Sequence, residues 1–506
     1  MWGTIFAAFV IVAAVARFTV MPLFQYFRDT KGFRKYPNMS LMSGITNLPY
    51  VLESCRGFRS KTLMELHKYH PVLRIGPNHL SYADGAAIKD IYGHSTKCVK
   101  DDFYSLVSGT HYNLADCVDK KQHAEKRRGL SSAYAIKNLE GWEHKVVDKV
   151  EKLIKEFDRC CGAAEYVDFR KWTNFFTMDA IADIGLSQSL GFLEAGDDKT
   201  VSVDLDGTAC EVSYREVLHN NLFAQSQVVW AYDWYPQLKW LTSIFSKKFR
   251  YMWKCGRQFD GIVLHQTNKR MERYRAGEDL NDFFQALMES KDGLPRNLEL
   301  GEIVAEISIM LNAGSVSTAI AINNCMFMLL KHPLAMKALR EELDSVLDET
   351  DVVAAYDKVK YLPYLRACLD ESMRILPPTT FNLPRKTPPE GAIIFGEYVP
   401  GNTSVSMSSY VAHRDGKAFP EPEVFRPERW LDEKGKELQQ YFITFSAGAR
   451  GCIGRNISYL EQLIMIASLV HRYEFELPSP DWELDLKEHF NLVPKSMPVK
   501  IWKRKL

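Results

Sequence analysis

A mainly α-helical fold with small β-sheets, built as one large domain, is what this sequence predicts, and three observations carry the prediction. Apolar residues recur at three- and four-residue steps through the middle of the chain. Two short regions, around residues 72–82 and 379–411, have strand-and-turn character. Between about residue 50 and residue 506 the composition offers no convincing linker, and there is no internal repeat or low-complexity tract.

Composition agrees with a large packed body. The chain has 506 residues, 46% hydrophobic and 25% charged, which excludes disorder, collagen and a disulfide-held miniprotein. Sixty-four basic residues against sixty-three acidic ones leave a formal charge of +1, so no global field favours nucleic acid, and partners must be recognised locally. Ten cysteines form no C-x-x-C pair, and the adjacent Cys160 and Cys161 are badly spaced for zinc; they read as reduced thiols that pack as small apolar groups.

Taken in order, the elements begin with an apolar run from Trp2 that resumes after Arg17 and ends near Phe24. Its twenty-three residues reach about 34 Å as a helix, enough for roughly 30 Å of hydrocarbon. Arg28, Lys31, Arg34 and Lys35 follow, which places the body on the cytosolic side. Residues 1–27 therefore read as a single-pass anchor in the endoplasmic reticulum membrane, 28–49 as a Pro-containing linker and 50–506 as the catalytic body. A cleaved signal peptide is the alternative, disfavoured by an n-region without Lys or Arg. On a cytosolic body the sequons at Asn38, Asn402 and Asn456 stay unmodified.

Within the body, Val72–Ile75 and His79–Tyr82 flank the turn Gly76-Pro77-Asn78 and predict a hairpin. From Trp142 to Phe157 the apolar positions fall on one helical face. A long helix is expected from about Leu298 to Lys331, with Asn297 as its cap and Pro333 as its stop; apolar on most of its circumference, it should be buried.

The most informative stretch runs from Phe445 to Arg455. It holds one cysteine, Cys452, in a glycine-rich loop that leads into a helix with Leu460, Leu463, Ile464, Ala467 and Val470 on its apolar face. A buried metal thiolate needs such a loop, because glycines let backbone amides approach the sulfur and stabilise its charge. This segment resembles the haem-binding loop of the cytochrome P450 family, F-x-x-G-x-R-x-C-x-G: Phe445, Gly448, Arg450, Cys452 and Gly454 match every fixed position. The resemblance implies the P450 fold, a single large helical domain around a buried haem b. It implies Cys452 as the axial thiolate that favours O–O cleavage, and Arg450 as a propionate partner.

Other segments extend the resemblance over most of the chain beyond the anchor. Glu371-Ser372-Met373-Arg374 matches E-x-x-R, 78 residues ahead of Cys452 counted from Arg374, and Pro427-Glu428-Arg429-Trp430 lies between. The family's pattern makes Glu371, Arg374 and Arg429 a buried structural cluster. His123 and Arg127, in the basic run 120–128, are spaced like the family's propionate-binding pair; Arg385 and, more loosely, His413 fall where it places further haem-edge contacts. The rest of that run is suited to docking an acidic electron donor.

Ala313-Gly314-Ser315-Val316-Ser317-Thr318 resembles the family's oxygen-binding segment, in which the glycine opens a groove for dioxygen while a hydroxyl and an acid deliver protons. Here Val316 stands where an acid is usual and Ser317 where a threonine is usual, so protons would come through water, a substrate group or Thr318. The resemblance implies a haem-thiolate monooxygenase that inserts one oxygen atom of dioxygen into a lipophilic or aromatic small molecule, in the manner of fungal microsomal members of secondary metabolism. Val316 keeps a second outcome open, a P450-type rearrangement, dehydration or oxidative coupling, and a non-catalytic haem-binding protein is a third. No Gly-rich dinucleotide fingerprint opens a βαβ unit, so electrons are expected from NADPH through a separate membrane-bound cytochrome P450 reductase. The pocket is expected to draw on residues 101–117, 218–235, 309–317 and 379–383 and on Leu492 and Val493, offering Phe103, Tyr104, Leu222, Phe223 and Phe381.

Overall fold

The computed structural model describes residues 12, 16–131, 133–290 and 292–505. The expected membrane run thus falls largely outside the described residues up to position 15. Its continuation is helical over Ala16–Val20 and Met21–Arg28. Residues 28–49 do not hang as a free linker. Phe33 is buried beside Leu80 and Tyr82, Arg74 N donates to Pro37 O at 2.8 Å, and Met39 N donates to Arg74 O at 2.9 Å. This strap pairs with the outer edge of the first strand, which would otherwise leave unpaired backbone groups. The helix Leu48–Arg56 begins directly behind it.

The predicted hairpin is present as Val72–Gly76 paired antiparallel with His79–Tyr82. Three strands from distant parts of the chain complete its sheet. Ser404–Ser406 runs parallel to His79–Tyr82, Arg385–Lys386 pairs antiparallel with Ser404–Ser406, and Val99–Lys100 closes the edge antiparallel to Arg385–Lys386. The register sets Lys100 opposite Arg385.

Helices make up the other side. The amphipathic segment expected over 142–157 lies within the helix Ile136–Cys160. The long helix spans Leu300–Lys331. Its cap differs from the expected one: Asn297 sits at φ 50°, outside the helix, while Glu299 and Glu302 form a reciprocal capping box. An asparagine tolerates the left-handed turn ahead of the helix, and the carboxylate two residues on takes the orphan amides. Ile320, Ile322, Cys325, Met326 and Leu329 expose essentially nothing and point all round the helix, so it is a core element, although its length and apolarity alone would also pass for a membrane span. Each such aliphatic side chain contributes about 1.5–3 kcal/mol by leaving water. Two glycines let the helix Phe169–Leu186 lie close against it. A Cβ on Gly185 would meet Met310 Cε at 2.0 Å, and one on Gly314 would meet Ile181 Cγ1 at 2.6 Å.

Candidate active site

The cysteine loop is shaped by backbone that most residues avoid. Gly448 has φ 64°, and a Cβ there would stand 2.1 Å from Tyr92 O, so only glycine fits. The turn Gly448–Arg450 follows, and Cys452 N donates to Phe445 O at 2.8 Å, closing the loop. Gly454 caps the eighteen-residue helix Arg455–Arg472, which places Cys452 ahead of a helix N-terminus. Burial pushes the Cys452 thiol up, while the Gly454 and Arg455 amides and the charges of Arg127 and Arg455 favour its thiolate. Cys452 nevertheless keeps accessible surface. A side chain that is deeply enclosed and still accessible faces an interior space.

Basic side chains gather on the sheet side of the same loop. Lys100, His123, Arg385 and Arg450 line one cavity of ≈ 170 Å³ between the cysteine loop and the sheet edge. His123 and Arg127 come from the helix Lys120–Leu130, capped by Asp119, and Arg127 Nη1 donates to Gly451 O at 2.8 Å. Arg450 donates to Cys117 O at 2.6 Å and Val118 O at 2.9 Å; Arg385 donates to Tyr104 Oη at 3.1 Å and to the carbonyls of Leu383 and Pro384. Among the described residues, none of Lys100, His123, Arg127, Arg385 and Arg450 has a carboxylate within ion-pairing distance. Burial, with Arg450, Lys100, Arg127 and Arg385 around it, drives the His123 pKa down to about 3, and burial with the two nearby arginines drives Lys100 well below its usual value. Lys100 and Tyr104 were not expected here. No sequence spacing links them to Arg385, because strand pairing makes that contact.

The long helix supplies the opposite wall. Next to the buried Leu311, Ser315, Val316 and Thr318, Ala313 is exposed and Gly314 and Ser317 are half-buried, so this face of the helix carries the accessible surface. Ser317 Oγ donates back to Ala313 O at 2.9 Å. Gly314 meets a packing demand, since its missing side chain admits Ile181. Val316 is buried in the main apolar core. Thr318 is also buried and donates to Ser458 Oγ at 2.9 Å, tying the long helix to the helix behind the cysteine; its hydroxyl is engaged there and not on the cavity face.

Behind the loop, Arg374 grips Glu371 with two bonds of 2.8 and 2.9 Å, and Arg429 Nε and Trp430 Nε1 each donate to the same carboxylate at 2.9 Å. Burial pushes Glu371 up, but Arg374 and Arg429 outweigh it and hold the carboxyl below its ordinary value. His413 belongs with this cluster and not with the haem edge. Ile443 N donates to its Nε2 at 2.9 Å and its Nδ1 faces Arg374 O at 3.2 Å, so both ring nitrogens are spent on backbone. That arrangement links the Glu371 helix to the segment leading into the cysteine loop.

An aromatic cluster lies beyond the rim. Phe103 stacks on Trp230 at 4.8 Å and on Phe381 at 5.7 Å, and Phe490 meets Phe381 at 5.6 Å. Tyr104 turns away from it, to Arg385. Trp230 lies within the expected pocket segment 218–235 without being singled out there, and Phe490 lies outside the expected segments; neither stands in a motif, and only the fold brings their segments together.

Comparison with known proteins agrees with this arrangement. Residues 51–501 match the family described as cytochrome P450. Benzoate 4-monooxygenase bphA of Aspergillus niger is 28% identical over 479 residues, covering 92% of each chain. Cytochrome P450 monooxygenase atr2 of Stereocaulon alpinum is 30% identical over 471 residues, 90% of this chain and 88% of that one. Averantin hydroxylase of Dothistroma septosporum is 28% identical over 492 residues, 95% of this chain and 88% of that one.

The residues fit a haem. An enclosed sulfur with accessible surface suits an axial ligand, and a rim of cations without carboxylate partners suits the two propionates of a porphyrin.

Proposed function

Because the chain belongs to the cytochrome P450 family and is therefore a haem-thiolate monooxygenase, we propose that Cys452 would hold the haem iron and that His123, Arg127, Arg385 and Arg450, joined by Lys100, would hold the propionates. Phe445, Gly448 and Gly454 shape the loop that presents the sulfur. When bound, the haem supplies dioxygen activation and oxygen transfer to a C–H bond. The chain does the rest. Amides at the helix N-terminus and the nearby arginines favour the Cys452 thiolate against the burial that raises its pKa. Ala313 and Gly314 keep the opposite wall low, and the Ser317 hydroxyl is the group of that wall placed to pass protons inward from water. The Phe103, Phe381 and Phe490 cluster excludes bulk water and receives a lipophilic or aromatic substrate. Relatives named for benzoate and averantin hydroxylation support an aromatic substrate and a place in fungal secondary metabolism.

Electrons come from NADPH through a separate membrane-bound reductase that docks on the cysteine-loop side. Residues 1–27 anchor the protein in the endoplasmic reticulum membrane, with the strap 28–49 leading into a cytosolic catalytic domain, 50–506. Two surfaces support the anchor. Val20, Met21, Phe24 and Phe27 are exposed on the N-terminal helical turns, and Trp240, Leu241, Ile244 and Phe245 are exposed on the helix Tyr235–Phe245. The Arg17 guanidinium over the Trp234 ring, 5.3 Å from its centroid, brings these surfaces together.

The observation that carries this reading is the enclosed, accessible Cys452 beneath an unbalanced cationic rim. The reduced, carbon-monoxide-bound absorption spectrum tests it. Thiolate ligation moves the Soret band far to the red of histidine-ligated haem, and Cys452→Ser should abolish that band; a red-shifted band that survives in C452S refutes the assignment.

A further inference from the structure

A second group of unbalanced polar side chains lies away from the propionate rim, where the helix Tyr214–Val228 meets the turn between the strands Leu486–Glu488 and Leu492–Pro494. His219 stands on the helix and His489 on the turn. Among the described residues neither imidazole makes a hydrogen bond, and the Nδ1 atom of each is shut off from any accessible space. Both residues are only half-buried, so the surface each ring does show belongs to its other edge. Burial nonetheless holds the His219 pKa well below its ordinary value and brings His489 down to about 4, so both rings are neutral at physiological pH. Two histidines with free edges in an enclosed space is an arrangement that costs stability unless a ligand uses it.

The space they face adjoins the aromatic pocket. Phe223, from the same helix as His219, lies 4.5 Å from the His489 ring, and Phe490, next in sequence to His489, packs against Phe103 and Phe381. Arg170, at the start of the helix Phe169–Leu186, adds a charge. It is 3% exposed and its Nη1 donates to Asn174 Oδ1 at 2.7 Å; among the described residues its Nη2 has no hydrogen-bond partner and no carboxylate forms an ion pair with it. Burial, with Arg215 nearby, lowers it to about 9, so it keeps its proton at neutral pH. Arg170, His489 and Arg215 all lie near enough to His219 to oppose its protonation. The carboxylate beside His489 does not relieve this, because Glu488 is spent on Arg59 Nη2 at 2.8 Å and Ser60 N at 2.6 Å. The region is thus a buried cation with two adjacent proton-accepting rings, and among the described residues its nearest carboxylate, Asp168, caps the helix start and forms no ion pair with the guanidinium. A buried charge left in that condition costs several kcal/mol, which an incoming anion offsets.

We propose that the substrate is a lipophilic aromatic acid, its ring against Phe103, Phe381 and Phe490 and its carboxylate held by the free edges of His219 and His489 under the charge of Arg170. The carboxylate supplies the missing negative charge and makes protonation of an imidazole favourable, turning it into a charge-assisted donor. An acid anchored at this end presents its far end towards the haem, so oxidation falls on the carbon remote from the carboxylate. The inference rests on the pocket being the substrate side of the haem site.

The test uses the ferric holoenzyme of the full chain and matched pairs of probes, 2-naphthoate with 2-naphthamide and cinnamate with cinnamamide, followed by the Soret shift and by calorimetry. Each acid should bind about tenfold or more tightly than its amide, and in His219→Asn/His489→Asn that preference should fall to about one while the amide affinities stay within about twofold. Equal binding of acid and amide by the wild type overturns the proposal, as do a preference that survives in the double variant and an absence of binding by either acid. The wild-type ratio decides the matter even where the double variant does not fold. The carbon-monoxide spectrum separates the two readings: a wild type without the thiolate band loses the haem assignment, while calorimetry still reports the preference for acids.

Discussion

Two clusters of charged side chains flank the cysteine loop, and they treat burial in opposite ways. Around Glu371 every charge is answered: two guanidiniums, an indole and the Arg426 amide converge on one carboxylate, and the spare N–H groups of Arg374 reach the carbonyls of His413 and Pro422. Around His123, Lys100, Arg385 and Arg450 positive charge accumulates with only neutral oxygens as partners. The first arrangement is complete as it stands and holds the chain behind the loop. The second is complete only with an anion in it. A balanced buried charge marks architecture, and an unbalanced one marks a binding site.

The sharpest way to break this contrast is to unbalance the balanced cluster. Glu371→Gln leaves Arg374 and Arg429 buried and unanswered and should cost about 3–5 kcal/mol, seen as a collapse of the urea midpoint or a failure to accumulate folded protein. A loss under about 1 kcal/mol would mean that the cluster is not the keystone described here. The rim should respond in the opposite sense. Lys100→Met and Arg385→Leu remove charges that repel their neighbours, so the haem-free chain should keep or gain stability, while loss of haem to a scavenger protein should accelerate by about tenfold or more per substitution, the equivalent of one charge-assisted hydrogen bond.

Acid titration sharpens the contrast further. Burial, with Arg374 and Arg414 nearby, lowers His413 to about 3, below the roughly 6.5 of an unfolded chain. Between those values the unfolded state binds a proton that the native state refuses, so stability falls as pH drops from about 6.5 towards 3, by about 1.4 kcal/mol per pH unit. His413→Asn should remove that much of the slope between pH 6 and 4, measured by urea unfolding. Glu371, held below its ordinary value, contributes fully above the ordinary carboxyl pKa of about 4.3 and loses that contribution as pH falls through its lower native value. His123 should behave differently from His413, because propionates placed against it raise its pKa; its part of the slope should shrink when haem is bound.

The smallest effects should separate the two neighbouring hydroxyls of the long helix. Ser317→Ala is expected to leave stability within about 0.5 kcal/mol and to lower product formed per NADPH consumed. Thr318→Val should cost about 1 kcal/mol by removing its bond to Ser458, which keeps the Gln462 Nε2 donor, and leave that ratio alone. The reverse pattern would move the proton path from Ser317 to Thr318.

What could be read from the chain follows from how locally each signal is written. Cys452 with its glycines, Glu371 with Arg374, and the hairpin turn at residues 76–78 all lie within a dozen residues, where backbone geometry and helical spacing leave few options. Asn297 misled because a cap and a left-handed turn favour the same residue types, and the true cap came two positions later. Gly314 and Thr318 sit in a legible motif, but which way they face depends on Ile181 and Ser458, which reach them from other helices.

The amino-acid sequence by itself determined the helical class, the glycine-rich cysteine loop and the Glu371–Arg374 spacing, since periodicity and close spacing are properties of a short stretch of backbone, while the closing of that pair by Arg429 was implied by family resemblance. Only the tertiary structure decided that Lys100 lies opposite Arg385, that His413 braces backbone, and that His219, His489 and Arg170 come together with unpartnered polar atoms. Those contacts join residues tens to hundreds of positions apart. Strand register and helix packing, acting over the whole domain, create them, and nothing in the local chain encodes which distant charge a side chain will meet.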